Sequence, residues 1–580
     1  MPRCAVVIAI FAALLPRTAQ AQTIYPIDRA EILAGAKFDL KVEFPQAAEN
    51  ALKVTINGDD AERVTGAKPE LIRNEEEQMH SAYWLRNAEI GKAGRYEVTA
   101  TTATNKTTVV WNVYDAPERK ARNVILFVGD GLSVAHRTAA RILSKGLSEG
   151  KYHGKLSIDD MPHMALVSTA GTDSVITDSA NAMSAYTTGH KTCVNAIGVY
   201  CARNVNPASH PRVETLSTLA QRRRGMAVGV VTNSELTDAT PAGMVAHTRR
   251  RNEMNDIVRM FYDVKPDVML GGGGAYFVPK GPGSKRNDNQ DYIAKFKSDG
   301  YTFASTAQTL KAAAAHSETL QLLGLFNAEN IDGALDLKYL KKGSVGRYPD
   351  QPDLVDQTRA ALSVLSRHPN GFLLMVESSR IDKYSHALDW ERAVYDTIML
   401  DNAVKAAKDF AADRNDTLII VVPDHAHPVS LVGTFDDSRP GDTPRTKLGV
   451  YADAEFPNYP APDAEGYPPT PDVSRRLAVM FGTYPDHCFS GKPDISGEFV
   501  AAKISTDGKT YVRNEEHCKP GTVRLFGNLP FDAPQGVHSG DDVILTAMGP
   551  GAEALHGQID NTFVFRAIAG ALGLAAVSRP

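Results

Sequence analysis

The run Val124-Ile125-Leu126-Phe127-Val128-Gly129-Asp130-Gly131 decides the fold class. Five apolar residues in succession suit a strand buried in a parallel sheet, and the Gly-Asp-Gly behind them ends it on a carboxylate. Met226-Ala227-Val228-Gly229-Val230-Val231, Phe372-Leu373-Leu374-Met375-Val376 and Leu418-Ile419-Ile420-Val421-Val422 have the same texture. Helical stretches lie between them, such as the one around Tyr395 to Ala411. That alternation reads as an α/β fold with an open, mostly parallel sheet flanked by helices.

Ligands of such sheets gather at the carboxyl ends of the strands. Three of the runs finish there on Asp130, on Glu377, and on Asp424-His425. Any one of these acids suits a solvated turn, but four reactive groups at three strand ends fit that reading poorly. Asp382 and His386 stand four apart, so one helical turn puts both on one face, as half of a zinc site with mixed oxygen and nitrogen ligands. Asp178-Ser179-Ala180-Asn181-Ala182-Met183 opens a helix. Ser179 then sits where free backbone N–H groups favour an anion, although a plain N-cap role would also account for it. Gly271-Gly272-Gly273-Gly274 follows an apolar strand without a Gly-Lys-Ser/Thr, so it reads as a structural turn rather than a nucleotide cradle.

Outside this core the texture changes. Residues 22–117 contain short alternating segments: Lys37 to Phe44, Leu52 to Ile56, Tyr96 to Ala100 and Thr107 to Val113, with Asn57-Gly58 as a turn. They read as an amino-terminal β-sandwich with no catalytic constellation, an accessory domain. Residues 118–580 read as the catalytic domain. Within it, about 428–530 is rich in Pro, Gly, Asp and Tyr and reads as an insertion with its own small fold.

The first 21 residues read as a signal peptide. Arg3 is followed by an apolar run, Ala5 to Leu15, and Ala19-Gln20-Ala21 has the small-x-small form cleaved on export. An uncleaved anchor is the other reading, but the run falls short of the about 20 residues a span needs. A periplasmic or secreted protein follows, with no membrane span after cleavage. Cys193, Cys201, Cys488 and Cys518 then remain. Four cysteines permit three pairings, and the local one, Cys193 with Cys201 and Cys488 with Cys518, is the simplest. Of 580 residues, 43% are apolar and 23% charged, which excludes wholesale disorder. With 63 basic and 68 acidic side chains, a net charge of −5 and no basic block, nucleic acid is excluded as a structural partner.

In combination, Val124 to Gly131, Thr177 to Lys191, Thr237 to Arg251, Gly371 to His386, Thr417 to His427 and Gly536 to Pro550 resemble, in that order, the alkaline phosphatase family. The resemblance covers roughly residues 120–580 apart from the insertion, which takes the place of the family's variable crown. It implies that phosphate monoesters are hydrolysed through a phosphoserine on Ser179, with two Zn2+ and one Mg2+. Asp382, His386 and His538 match the ligands of the first zinc; Asp130, Asp424 and His425 match those of the second. Asp130, Thr240 and Glu377 match the magnesium site. Arg251 matches the arginine that holds phosphate, with Arg249 and Arg250 as ordinary solvated charges. Asp178 flanks the nucleophile, and Asp238 and Lys383 match the bacterial pair that holds magnesium waters; His427, two residues after His425, reads as support for a ligand carboxylate, with direct metal ligation as the other reading. Many family members are homodimers, and the same expectation extends to this chain.

Two readings compete. A sulfatase of the same superfamily would need Cys/Ser-x-Pro-x-Arg, whereas Ser179 precedes Ala180-Asn181-Ala182, and a phosphodiesterase usually lacks the set Asp130, Thr240 and Glu377. A non-enzymatic, metal-stabilised surface binding protein would work through the sandwich instead.

Overall fold

A computed structural model describes residues 22–46, 52–116 and 118–576. The expected signal peptide, 1–21, lies outside them. The four apolar runs become four neighbouring strands, Ala227–Glu235, Phe372–Ser378, Asn123–Gly129 and Thr417–Val422, at the centre of a ten-stranded sheet. Burial is nearly complete along all four. Each buried Val, Leu or Ile contributes about 1.5–3 kcal/mol, which makes these strands the stiff frame of the molecule. Val268–Gly272, Leu322–Leu325 and Thr302–Ala304 continue the sheet on one side. Val543–Met548, His163–Ser168 and Gly557–Asp560 continue it on the other. Val543–Met548 runs antiparallel to both its neighbours; the other described pairings in this sheet are parallel.

Register then does the positioning. Val128 lies opposite both Glu377 and Val422, and Thr232 lies opposite Glu377. Asp130, Glu377 and Asp424 therefore emerge along one edge. Gly131 is required at the first strand end. Its φ is +67°, and a Cβ there would come 2.7 Å from His427 and 3.1 Å from the Asp382 backbone. At Gly272 an added Cβ would meet the Glu329 carbonyl at 2.0 Å, so this part of the glycine run packs against chain and cradles nothing.

The amino-terminal segment forms two facing sheets, one of four strands and one of five. Phe38 and Trp111 meet edge to face between them, with ring centres 5.4 Å apart. Asn57 and Gly58 have φ of 51° and 87°, as a two-residue hairpin of the I′ type needs. The strand Lys37–Pro45 departs from the simple alternating reading. Its polar positions Lys41 and Glu43 are fully buried, because residues 201–214 cover that face. One apolar core runs unbroken from Ile32 and Trp111 to Leu216 and Leu572. The strand His80–Glu89, absent from the sequence reading, pairs along Lys37–Pro45. Its buried His80 and Ser81 hide the alternation.

In the insertion, Val429–Asp436 pairs with Arg475–Phe481, and two further short two-stranded antiparallel sheets follow. The disulfides are Cys193–Cys201 and Cys488–Cys518, the local pairing.

Candidate metal centre and active site

Ser179 begins the helix Ser179–Thr188, but it does not cap it. Asp178 does: its carboxylate accepts the Asn181 N–H at 3.1 Å. The Ser179 hydroxyl is thereby released from local duty. Its Oγ lies 3.3 Å from His425 Nε2 and 3.5 Å from Asp130 Oδ1. As a first-turn residue it also has no intrahelical acceptor for its N–H, so the helix presents positive potential here.

Two donor sets converge beside it. In one, His425 Nε2 lies 3.2 Å from Asp130 Oδ1 and 3.4 Å from Asp424 Oδ2. Asp424 spends its other oxygen on the N–H groups of Gly131 and His425, at 3.1 and 3.0 Å, which orients Oδ2 without bonding it. In the other, Asp382 Oδ1 stands 3.3 Å from both His386 Nε2 and His538 Nε2. Each ring turns its Nδ1 to a backbone carbonyl, His386 to Gly536 at 2.6 Å and His538 to Thr177 at 2.8 Å. Donation through Nδ1 leaves the two Nε2 lone pairs facing each other at 3.1 Å. Two acceptors that close, beside a carboxylate, fit a shared cation. The rings of His425 and His538 stack at 3.5 Å and so join the two sets.

The electrostatics agree. Burial pushes Asp130 well above the usual carboxylate range, and Asp424, Asp382 and Glu377 push it further. Asp424 rises to about 6, from burial first and then Asp382. These shifts express anions crowded without countercharge. Asp382 goes the other way: burial opposes its ionisation, but the imidazoles of His386, His427 and His538 outweigh it. Burial keeps His425 neutral, the form that ligates metal.

The residues expected at the magnesium site offer only oxygens. The Thr240 hydroxyl is buried without a hydrogen-bond partner, and Asp130 and Glu377 emerge on adjacent strands. Burial, then Asp238, raises Glu377 to about 7, although Thr232 Oγ1 donates to it. Beside this set, Asp238 receives Lys383 Nζ at 2.6 Å and Arg251 Nη2 at 2.8 Å. Burial opposes the Asp238 charge, but Lys383 and Arg251 overcome it and hold the carboxyl ionised. Arg251 Nη1 also reaches Asp178 Oδ2 at 3.4 Å, so two carboxylates aim one guanidinium beside Ser179.

These contacts bring Ser179, Arg251, Asp178, Asp238 and Lys383 together with both donor sets. His427 Nε2 donates to Asp382 Oδ1 at 2.6 Å. Arg250 is exposed, as a solvated charge should be. Arg249 corrects that reading, because it is half-buried and donates to the Val194 carbonyl at 3.0 Å. Sequence reasoning missed Ser133, which bonds both the carbonyl and the N–H of His427. It also missed Thr232, Asn233 (whose Oδ1 accepts from Ser379) and the Gly536 and Thr177 carbonyls. Only Thr232 carried a signal, its place on a strand neighbouring Glu377.

A sequence profile of the alkaline phosphatase family matches residues 121–574. Alkaline phosphatase H of Pseudomonas aeruginosa is 32% identical over 352 residues, covering 54% of this chain and 71% of its own length. The tissue-nonspecific alkaline phosphatase of Gallus gallus is 28% identical over 482 residues, covering 77% and 84%. The crystal structure of Thermus thermophilus alkaline phosphatase superposes with a TM-score of 0.55 at 23% identity, over 79% of this chain and 93% of that one. That of the Antarctic bacterium TAB5 enzyme gives 0.53 at 22% identity, over 78% and 98%. The matched span holds the whole strand-end constellation, and the chain belongs to the alkaline phosphatase family, enzymes that hydrolyse phosphate monoesters.

Proposed function

We propose that Ser179 is the nucleophile of this hydrolysis, with Arg251 as the phosphate clamp and three cation sites around them. The observation that carries the reading is the Ser179 hydroxyl, freed by the Asp178 cap and set 3.3 Å from His425 at the junction of two donor sets. Asp382, His386 and His538 would hold one zinc, and Asp130, Asp424 and His425 a second; mixed oxygen and nitrogen donors suit that ion. Asp130, Thr240 and Glu377 would hold magnesium, which prefers hard oxygens. In a solved variant of the TAB5 enzyme, with aspartate replacing one histidine, magnesium is bound in the M3 site. When bound, such cations supply Lewis acidity toward the attacking and leaving oxygens of an in-line displacement.

The chain's own groups do the rest. Ser179 Oγ gives up its proton to solvent and attacks phosphorus, the bond to the alcohol oxygen breaks as the phosphoserine forms, and that oxygen takes up a proton and leaves as the alcohol. The planar fork of Arg251, aimed by Asp178 and Asp238, binds two phosphoryl oxygens, which a lysine's point charge would not orient. The first turn of the Ser179 helix adds its N–H groups to the same anion. Water then attacks phosphorus from the side the alcohol has left, the Ser179 oxygen leaves and is reprotonated, and inorganic phosphate is released.

Trapping with labelled phosphate at acidic pH should label wild type on Ser179. Ser179→Ala should not label and should lose at least about a thousandfold in kcat with its metals retained. Label elsewhere on the chain would overturn the assignment. We also infer export, on the basic, apolar and Ala-Gln-Ala pattern of residues 1–21. The mature protein should begin at Gln22 by amino-terminal sequencing, and be found in the periplasm or medium.

A further inference from the structure

We propose that Lys41, Glu43 and Glu76 of the amino-terminal sandwich are positioning residues for Arg251, acting through the segment 193–214. The inference rests on Arg251 being the phosphate clamp.

The sandwich grips that segment at many points. Lys41 Nζ donates to Asn204 Oδ1 at 2.6 Å, and Glu43 Oε1 accepts the Arg203 N–H at 2.8 Å. Glu76 Oε2 accepts the N–H groups of both Val205 and Asn206. Tyr25 donates to the Cys201 carbonyl at 3.0 Å. At the other end, the Asp39 N–H donates to the Arg212 carbonyl at 2.8 Å, and the Asp39 carboxylate accepts the Arg212 N–H at 3.0 Å. The anchor is buried and ionic. Lys41 Nζ lies 2.8 Å from both Glu43 and Glu75, with Lys41 and Glu43 fully buried and Glu75 nearly so. Buried ion networks add little net stability but tolerate little displacement, so they fix register.

From there a ladder of main-chain hydrogen bonds leads to the clamp. Val199 bridges Arg212, and Ile197 bridges Thr248. The Arg249 N–H donates to Pro207, and the Arg251 N–H to Asn195, both at 2.9 Å. Asn195 also donates its own N–H to Asp178 Oδ2 at 3.2 Å, the oxygen that meets the Arg251 guanidinium. One residue of the segment therefore holds the backbone of Arg251 and the carboxylate that aims its side chain. The disulfide Cys193–Cys201 closes the same segment into a short loop. The rigidity matters because displacement of a phosphate-orienting group by a fraction of an ångström is expressed directly in binding and rate.

The test uses the full-length, metal-loaded enzyme carrying Asn204→Ala, Glu76→Ala, Glu76→Gln or Arg251→Ala. Inhibition by inorganic phosphate, KM and kcat for p-nitrophenyl phosphate, bound zinc and magnesium, and the thermal midpoint are measured for each. Asn204→Ala leaves the Lys41 charge paired with two glutamates, and Glu76 is half-buried, so both variants should fold. Each should raise the phosphate inhibition constant and KM by roughly three- to tenfold, with kcat less affected and metal content unchanged. Glu76→Gln, which keeps the acceptor oxygen, should match wild type. Placed in an Arg251→Ala background, neither alanine change should weaken phosphate further. An unchanged inhibition constant with a lowered thermal midpoint would make the contacts structural only and overturn the proposal. An effect that persists undiminished without Arg251 would overturn it too. If Arg251→Ala itself leaves phosphate inhibition unaltered, the clamp reading fails and takes this proposal with it.

Discussion

At the scale of single residues, the proposed third cation site would be governed by two side chains outside its proposed donors. Asp238 and Lys383 hold each other at 2.6 Å beside the set of Asp130, Thr240 and Glu377. Both can hydrogen-bond to water around a hard cation, an arrangement suited to magnesium, which keeps several waters. Histidines in their place would offer imidazole nitrogens and tilt the site toward zinc. Magnesium should therefore stimulate the wild type. The double variant Asp238→His with Lys383→His should take up about one further zinc and lose that stimulation. Metal analysis and a magnesium titration of both proteins check this, and identical titrations with equal zinc content would show that the pair does not control the site. The double change also releases Arg251 from one of its two carboxylates, so its phosphate affinity is expected to fall alongside.

At the scale of the element, the helix Trp390–Ala411 is packed against the sheet and buried along most of its length, which forces polar side chains into the core. Asp401 is 2% exposed and accepts the Ile158 N–H at 2.9 Å. Burial raises its carboxyl to about 6. A carboxyl raised on folding binds its proton more tightly in the native state, so its contribution to stability falls as pH climbs from about 4 through about 6. Asp401→Asn keeps the acceptor oxygen and cannot ionise. The variant should exceed wild type by on the order of 2 kcal/mol at pH 8, with the difference fading toward pH 4.5. Urea unfolding of both proteins at each pH measures it, and a pH-independent gap would mean that Asp401 does not titrate in this window. Burial of polar groups also explains why the strand His80–Glu89 carries no clear alternation in the sequence. Apolar residues mark a helix that faces a core, whereas in that strand the buried positions include His80 and Ser81.

For the molecule as a whole, the crowded carboxylates predict that cation binding and folding are coupled. Burial and mutual repulsion raise Asp130, Asp424 and Glu377, and bound cations would relieve that repulsion only in the native arrangement. A ligand that binds the folded chain alone stabilises it by about 3–4 kcal/mol at 100 to 1,000 times its dissociation constant. Chelation should abolish activity and lower the thermal midpoint by several degrees, and zinc with magnesium should restore both. A midpoint indifferent to chelator would argue against cations at these carboxylates.

The sequence by itself determined the frame and the chemical inventory. The central apolar runs, the reactive groups that end them and the four-residue spacing of Asp382 and His386 are all short-range properties, set by side-chain burial and backbone geometry over a few residues. Even the family resemblance rests on such blocks. What only the tertiary structure decided is everything that depends on register and on distant segments meeting. His538 comes to Asp382 and His386 from across the insertion, with its tautomer set by the Thr177 carbonyl. Asp178 takes the capping role that sequence left open for Ser179, because the Asn181 N–H finds it first. Lys41 and Glu43 are polar positions of an alternating strand, and the fold buries them against residues 203 and 204. Alternation along a strand states that two faces differ, but what covers each face is settled by packing between parts of the chain far apart in sequence.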